Sequence, residues 1–159
     1  MPREALVREL TDSMHEALAA FDAPEAALNR SYGAGKWTLR QILIHLSDSE
    51  TVLLDRLRRM ASENNPALIG FDENLWVTGL AYEKRDLTLA RQQFEVARRS
   101  VIELAWILSD NVDARIGTHS EAGKQTFGEN LKKIHEHTVH HMEQAKACIE
   151  GRTWTPMKK

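Results

Sequence analysis

The chain has 159 residues, 42% apolar and 28% charged, so it can build a core without a disulfide or a metal as staple. Its 21 basic and 23 acidic side chains leave a net charge of −2, which argues against the strongly basic face of a dedicated nucleic-acid binder. No apolar run approaches the roughly 18 residues of a membrane span, and Cys148, the single cysteine, cannot pair within the chain. The opening Met1–Glu9 is charged where a signal peptide needs an apolar stretch, so the expected compartment is the cytoplasm.

Taken in order, Leu6, Leu10, Met14 and Leu18 recur at helical spacing and predict a first helix over residues 3–20. Pro24 and the cluster Ser31–Gly35 interrupt the pattern. Thr38, followed three residues later by Gln41, is a capping box. It opens a second helix lined by Leu39, Ile42, Leu46, Leu53, Leu57 and Met60, which ends near Asn64–Pro66. Residues 66–86 carry many large apolar side chains without a sustained period, as expected of a functional connection or one with short helices of its own. A third helix is predicted over 87–109, with Leu87, Phe94, Val101, Leu104, Ala105 and Leu108 facing inward. Thr126 and Glu129 repeat the capping box, and the fourth helix runs to Glu150 with Gly151 as its C′ glycine. No segment alternates as a strand should. The expected fold is all-α: a four-helix bundle forming one domain over residues 1–151, with a tail, 152–159, that carries Trp154 and Pro156.

Four of the seven histidines fall between residues 135 and 141. On a helical wheel Ile134, Thr138, Met142, Ala145 and Ile149 form the buried stripe, and His137 and His141 sit side by side on its edge. His140 turns towards solvent, and His135 lies on the opposite edge. His45 occupies a similar border on the second helix, beside Ile42, Leu46 and Leu53. If those two helices are neighbours, three imidazoles can converge at one level. Three neutral imidazoles hold a divalent ion and leave a position open for water or substrate, which is the arrangement of a catalytic metal site.

Two blocks of sequence carry a family resemblance. Lys36–Glu50 has Trp37-Thr38 at a helix start, then His45-Leu46 and acidic residues; Ile134–Gln144 contains His137-x-x-His140-His141-x-x-Gln144. Together they resemble the signatures of the DinB/YfiT-like family. The resemblance implies a bundle in up-down-down-up order, usually dimeric, with a divalent metal such as Zn²⁺ or Ni²⁺ on His45, His137 and His141. It also implies a metal-dependent hydrolase, or a transferase that uses a low-molecular-weight thiol, acting on a small molecule. The long stretch 64–86 suits the crossover such a topology needs.

Each neighbour has a functional and a plain reading. Gln144 could fix an imidazole or bind a metal-held water, or be a border amide. Asp48 could orient His45, or be a solvated helix charge. Glu50 lies on the apolar side of its helix and needs a buried partner, such as a backbone amide or an indole. His140 could pair with His137 three residues before it, but its outward direction reads as a surface or pocket-rim residue; His15, His119 and His135 read as background. Cys148, two turns past His141, is too far along the helix to share its metal. The segment Gly117–Lys124 misses phosphate-loop spacing, and His135–Val139 lacks the second histidine of a zincin. The rival reading is a non-catalytic metal-binding or stress-related interaction protein, dimerising through exposed apolar residues such as Ile44. That rival expects a fourth protein ligand closing the site, or a groove too narrow for substrate.

Overall fold

Both capping boxes form. In the computed structural model, which describes residues 3–108 and 110–156, Thr38 Oγ1 accepts from the Gln41 amide at 3.3 Å while Gln41 Oε1 accepts from the Thr38 amide at 2.9 Å. Thr126 and Glu129 make the same reciprocal pair at 3.2 and 2.7 Å. These boxes start two of the four long helices, α1 (Arg3–Phe21), α3 (Leu39–Ser62), α5 (Leu87–Ile107) and α6 (Phe127–Glu150). Short helices α2 (Glu25–Leu28) and α4 (Glu73–Gly79) lie in the connections. Gly151 ends α6 at φ 69°, a left-handed conformation that favours glycine. Position 109, where the periodicity ends the third long helix, lies outside the described residues, as do 1–2 and 157–159 of the tail.

Cross-helix contacts set the directions. Helix α1 runs against α5, with Arg3 reaching the Ala105 carbonyl and Asp22 facing Arg91. It runs parallel to α6, with Glu9 near His135 and Glu16 paired with Lys146. Helix α3 runs parallel to α5, with Ser47 beside Gln93 and Glu50 beside Arg98. It is antiparallel to α6, so that Leu39 and Ile42 share a cluster with Met142 and Ala145, and Leu57 and Met60 with Phe127 and Leu131. The order is up-down-down-up.

Two apolar clusters fill the bundle, and a polar layer separates them. One holds Met14, Phe21, Leu43 and Phe94; the other holds Leu10, Leu57, Val101 and Ile134. Between them Arg98, fully buried, uses all five of its N–H donors. Nε and Nη2 donate to the two Glu50 carboxylate oxygens at 2.6 and 2.9 Å. Nη1 donates to the Leu10 carbonyl and Ser13 Oγ, and Nη2 also donates to Thr138 Oγ1. This one side chain ties all four long helices together. Glu50 does have a buried partner, but it is a guanidinium rather than a backbone amide or an indole.

Because α3 and α5 are parallel, residues 63–86 must return along the whole of α3. They do so on its outer face, from Arg56, which donates to the Ile69 carbonyl, to Arg40, which donates to the Arg85 carbonyl. Every residue from Ile42 to Glu50 is therefore buried. Ile44 is fully buried and cannot be a dimer contact. A small sheet that the sequence pattern did not show joins this crossover to the segment before α6. Its strand β1 (Ala67–Leu68) pairs parallel with β2 (Ile116–His119), which pairs antiparallel with β3 (Gly123–Thr126). Strands of two to four residues are too short for alternation to register. Gly117 is needed there, since a Cβ would sit 2.9 Å from Leu68 Cδ1.

Candidate metal centre

His45 lies seven residues beyond the Thr38 cap, and His137 eleven beyond the Thr126 cap, or roughly 10 and 16 Å along their helices. Antiparallel packing brings these two levels together. One nitrogen from each of His45, His137 and His141 lies within 4.8 Å of the others. His45 Nε2 and His137 Nε2 are 3.1 Å apart. Two nitrogens bound to one ion at about 2.0–2.1 Å lie roughly 3.0–3.4 Å from each other, so the spacing fits a shared metal. No fourth His, Cys, Asp or Glu joins this group among the described residues.

The electrostatics favour the neutral, ligating form of each ring. Burial, then the neighbouring His141, pushes His45 down to about 3. Burial likewise lowers His141 to about 4, although its bond to Gln144 opposes the shift. His137 falls well below the ordinary histidine value through burial, its two imidazole neighbours and the Arg98 charge. Each ring is neutral when folded and gains a proton near pH 6.5 when unfolded. The metal-free protein should therefore be stable above about pH 6.5 and lose stability as the pH falls from there towards 3. His45 alone should cost about 3 kcal/mol at pH 4, measurable as a falling urea midpoint. A metal-free midpoint that stays flat from pH 7 to 4 would contradict this.

The rings are positioned differently. His141 Nδ1 bonds Gln144 Oε1 at 2.8 Å, which places its proton on Nδ1 and frees Nε2 for an ion. Gln144 Nε2 lies 3.1 Å from His140 Nε2, so exposed His140 buttresses the amide from the rim. Trp154, in the tail, packs on His140 at 5.1 Å and on Tyr32, while its amide donates to the Tyr32 carbonyl. The Nδ1 atoms of His45 and His137 are buried without a hydrogen-bond partner. Packing holds His45 instead: the Trp37 ring lies 4.9 Å from it and stacks 6.1 Å from His141 at 13°. Phe71 lies 6.5 Å from His45 and packs on Trp76 at 4.3 Å. Trp37 Nε1 donates to Asn74 Oδ1 at 3.1 Å, fastening this aromatic wall to α4. Replacing Gln144 with Leu should weaken metal binding about 10–100-fold while leaving the fold intact, as read by competition with a chelating dye.

Two expected neighbours lie elsewhere. Asp48 is neither solvated nor bonded to His45: it is buried, and pairs with Arg85 and with Gln93 Nε2. Glu50 belongs to the Arg98 layer and reaches the histidines only indirectly, through Thr138, which Arg98 also binds. His119 is more than background, being buried with Nδ1 accepting from the Glu121 and Ala122 amides in the β2–β3 turn. The aromatic wall was missed because its members meet only through the crossover. A tryptophan immediately before a capping threonine was the available sign. Glu73, opening α4, faces Lys133 and His140 across the rim, and burial raises its carboxyl above the usual range.

The chain is similar to known proteins. A protein of Oceanobacillus iheyensis named "Putative metal-dependent hydrolase" is 27% identical over 133 residues, covering 84% of this chain and 77% of that protein. Another protein of that name, YfiT of Bacillus subtilis, is 30% identical over 84 residues, 47% of each chain. The solved structure of YfiT, described as "a probable metal-dependent hydrolase with an unusual four-helix bundle topology", has the same fold. Its TM-score is 0.86 at 21% identity, over 95% of this chain and 89% of that one. Residues 5–145 match the DinB superfamily, so the four-helix chain with its cluster of three histidines belongs to that family.

Proposed function

We propose that His45, His137 and His141 hold one divalent ion, Zn²⁺ or Ni²⁺, and that the protein is a metal-dependent hydrolase or thiol-dependent transferase acting on a small molecule. The observation that carries this reading is the convergence of three neutral imidazoles, His45 and His141 buried and His137 half-buried, with no fourth His, Cys, Asp or Glu ligand among the described residues. A storage or purely structural site is closed by its fourth ligand, whereas three leave room for a reactant. Once bound, the ion would supply Lewis acidity to water or a thiol at that open position. The chain's own residues then orient and exclude. Gln144 holds His141 in its ligating tautomer, and Trp37 and Phe71 cover the rings on the crossover side.

The relatives' names support hydrolysis. The thiol alternative rests on the sequence resemblance. Homodimerisation belongs to the same proposal, and exposed Leu89, Val96, Trp106 and Ile107 on α5 offer an apolar surface for it. A cytoplasmic setting is proposed because a thiol co-substrate requires a reducing compartment. No helix of the described residues is long and apolar enough to cross a membrane. The test is reconstitution with Zn²⁺ or Ni²⁺ and a screen of esters, amides and thiol–electrophile pairs. One ion per chain and turnover that vanishes with chelation are expected; stoichiometric metal without turnover on any class would favour the non-catalytic reading.

A further inference from the structure

Beyond Phe71 from the histidines, none of which lines it, the crossover leaves a cavity of about 510 Å³ against α3, within the roughly 300–1,000 Å³ typical of small-molecule sites. Phe71, which lies beside His45, and Trp76, which packs on Phe71, form its near wall, and Val52 and Ile69 extend the apolar lining. Arg56 also lines it. Eleven residues separate Arg56 from His45, so the two side chains leave α3 within roughly 20° of the same direction, about 16 Å apart along the axis.

Arg56 is an unusual lining residue. It is only 6% exposed, yet no carboxylate among the described residues comes within 4.0 Å of its guanidinium. Its one hydrogen bond is from Nη2 to the Ile69 carbonyl at 2.7 Å, and its Nε is buried without a partner. The contrast with Arg98, also buried but fully bonded, is direct. Neighbouring acids do not supply the missing contact. Asp55 is engaged by Arg59 at 2.7 Å, and Glu121 lies behind Gly70, close enough to attract Arg56 but not to bond it. A buried cation without a counter-ion is costly unless something else supplies the charge. Thr51, Asp55 and Arg59 also line the cavity, Asp55 being paired with Arg59, so a planar fork with free donors there suits an oxyanion.

We propose that this cavity binds the oxyanion end, a carboxylate or a phosphate ester, of an elongated apolar molecule, with Arg56 as its ligand. The other end of that molecule then lies past Phe71 at the three histidines. The molecule's orientation therefore rests on the metal-centre reading, whereas the binding of its anion to Arg56 does not.

The test uses the metal-free full chain and follows Trp fluorescence, since Trp76 lines the cavity. The probes are 4-phenylbutyrate, phenyl phosphate and, as neutral control, 4-phenylbutyramide. One of the two anions should bind about 10–100-fold more tightly than the amide, and which one does so distinguishes carboxylate from phosphate. Arg56→Met should remove that preference and leave amide binding unchanged, while Arg56→Lys, which keeps the charge but not the fork, should retain part of it. His137→Ala should retain all of it. Equal affinity for anions and amide in the natural chain overturns the inference, as does undiminished anion preference in Arg56→Met. Failure of the natural chain to take up a metal ion, with its anion preference intact, would sink the metal reading alone.

Discussion

Replacing His137 with Ala should abolish stoichiometric metal binding, leaving a protein that folds but purifies without its ion. Three imidazoles share the load, and metal-binding free energies at protein sites reach about 10–16 kcal/mol. Losing one of three ligands should cost roughly a third of that, about 3–5 kcal/mol, or a 10²–10⁴-fold weaker Kd. The three rings form a triangle with centroid separations of 4.5, 4.7 and 5.1 Å, so removing His137 opens one corner of the site rather than its periphery. His119→Ala is the matching control. It removes an acceptor for two turn amides, and should lower stability by about 1 kcal/mol while keeping one ion per chain. Elemental analysis of both variants after reconstitution decides the matter. Full metal content in His137→Ala would show that the cluster is not the site.

Glu50→Ala should be the most destabilising single change in the polar layer, at about 3–5 kcal/mol, because it leaves the fully buried Arg98 charge without its counter-ion. The reason lies in the asymmetry of buried pairs: removing one partner exposes the desolvation cost of the other, whereas removing both need not. Accordingly, Glu50→Leu combined with Arg98→Met should recover most of the loss, giving a large coupling energy in a double-mutant cycle of urea denaturation curves. A loss below about 1 kcal/mol in Glu50→Ala would mean that the layer is hydrated and does not act as a buried pair. Metal affinity should fall in step, since Arg98 also holds Thr138, the residue next to His137.

Helix starts and the stop at Gly151 were readable because each has a local chemical sign that needs no partner: Thr38 with Gln41, Thr126 with Glu129, and a glycine in the left-handed region. The same holds for the three histidines, whose position on a helix border follows from spacing alone. What the wheel could not show was how much of a helix its surroundings cover. It treats α3 as having an outer face, so Ile44 and Asp48 read as exposed, yet the crossover buries both. The sign was present in the apolar run Ile42-Leu43-Ile44, since a helix that is apolar all round is usually enclosed. Arg98 escaped notice for the opposite reason. A charged residue amid Phe94 and Val101 looks like a gap in the stripe until Glu50 is placed opposite it. Phe71 and Trp76 could not be assigned, because contacts between a crossover and a helix leave no periodic trace.

The crossover has a consequence for how such a protein can be altered. Helix α3 is 24 residues long, about 36 Å, and a chain that must re-enter beside it in the same direction has to travel that distance outside the bundle. The return path thus becomes a wall for whatever lies on the outward side of α3. Reactivity and selectivity are consequently written in different parts of the chain: the candidate ligands stand on α3 and α6, whereas residues 67–76 supply much of the enclosure. Grafting another loop of similar span over Ala67–Trp76 should reshape what fits while sparing the histidines, which makes this bundle a natural starting point for changing substrates without rebuilding its centre.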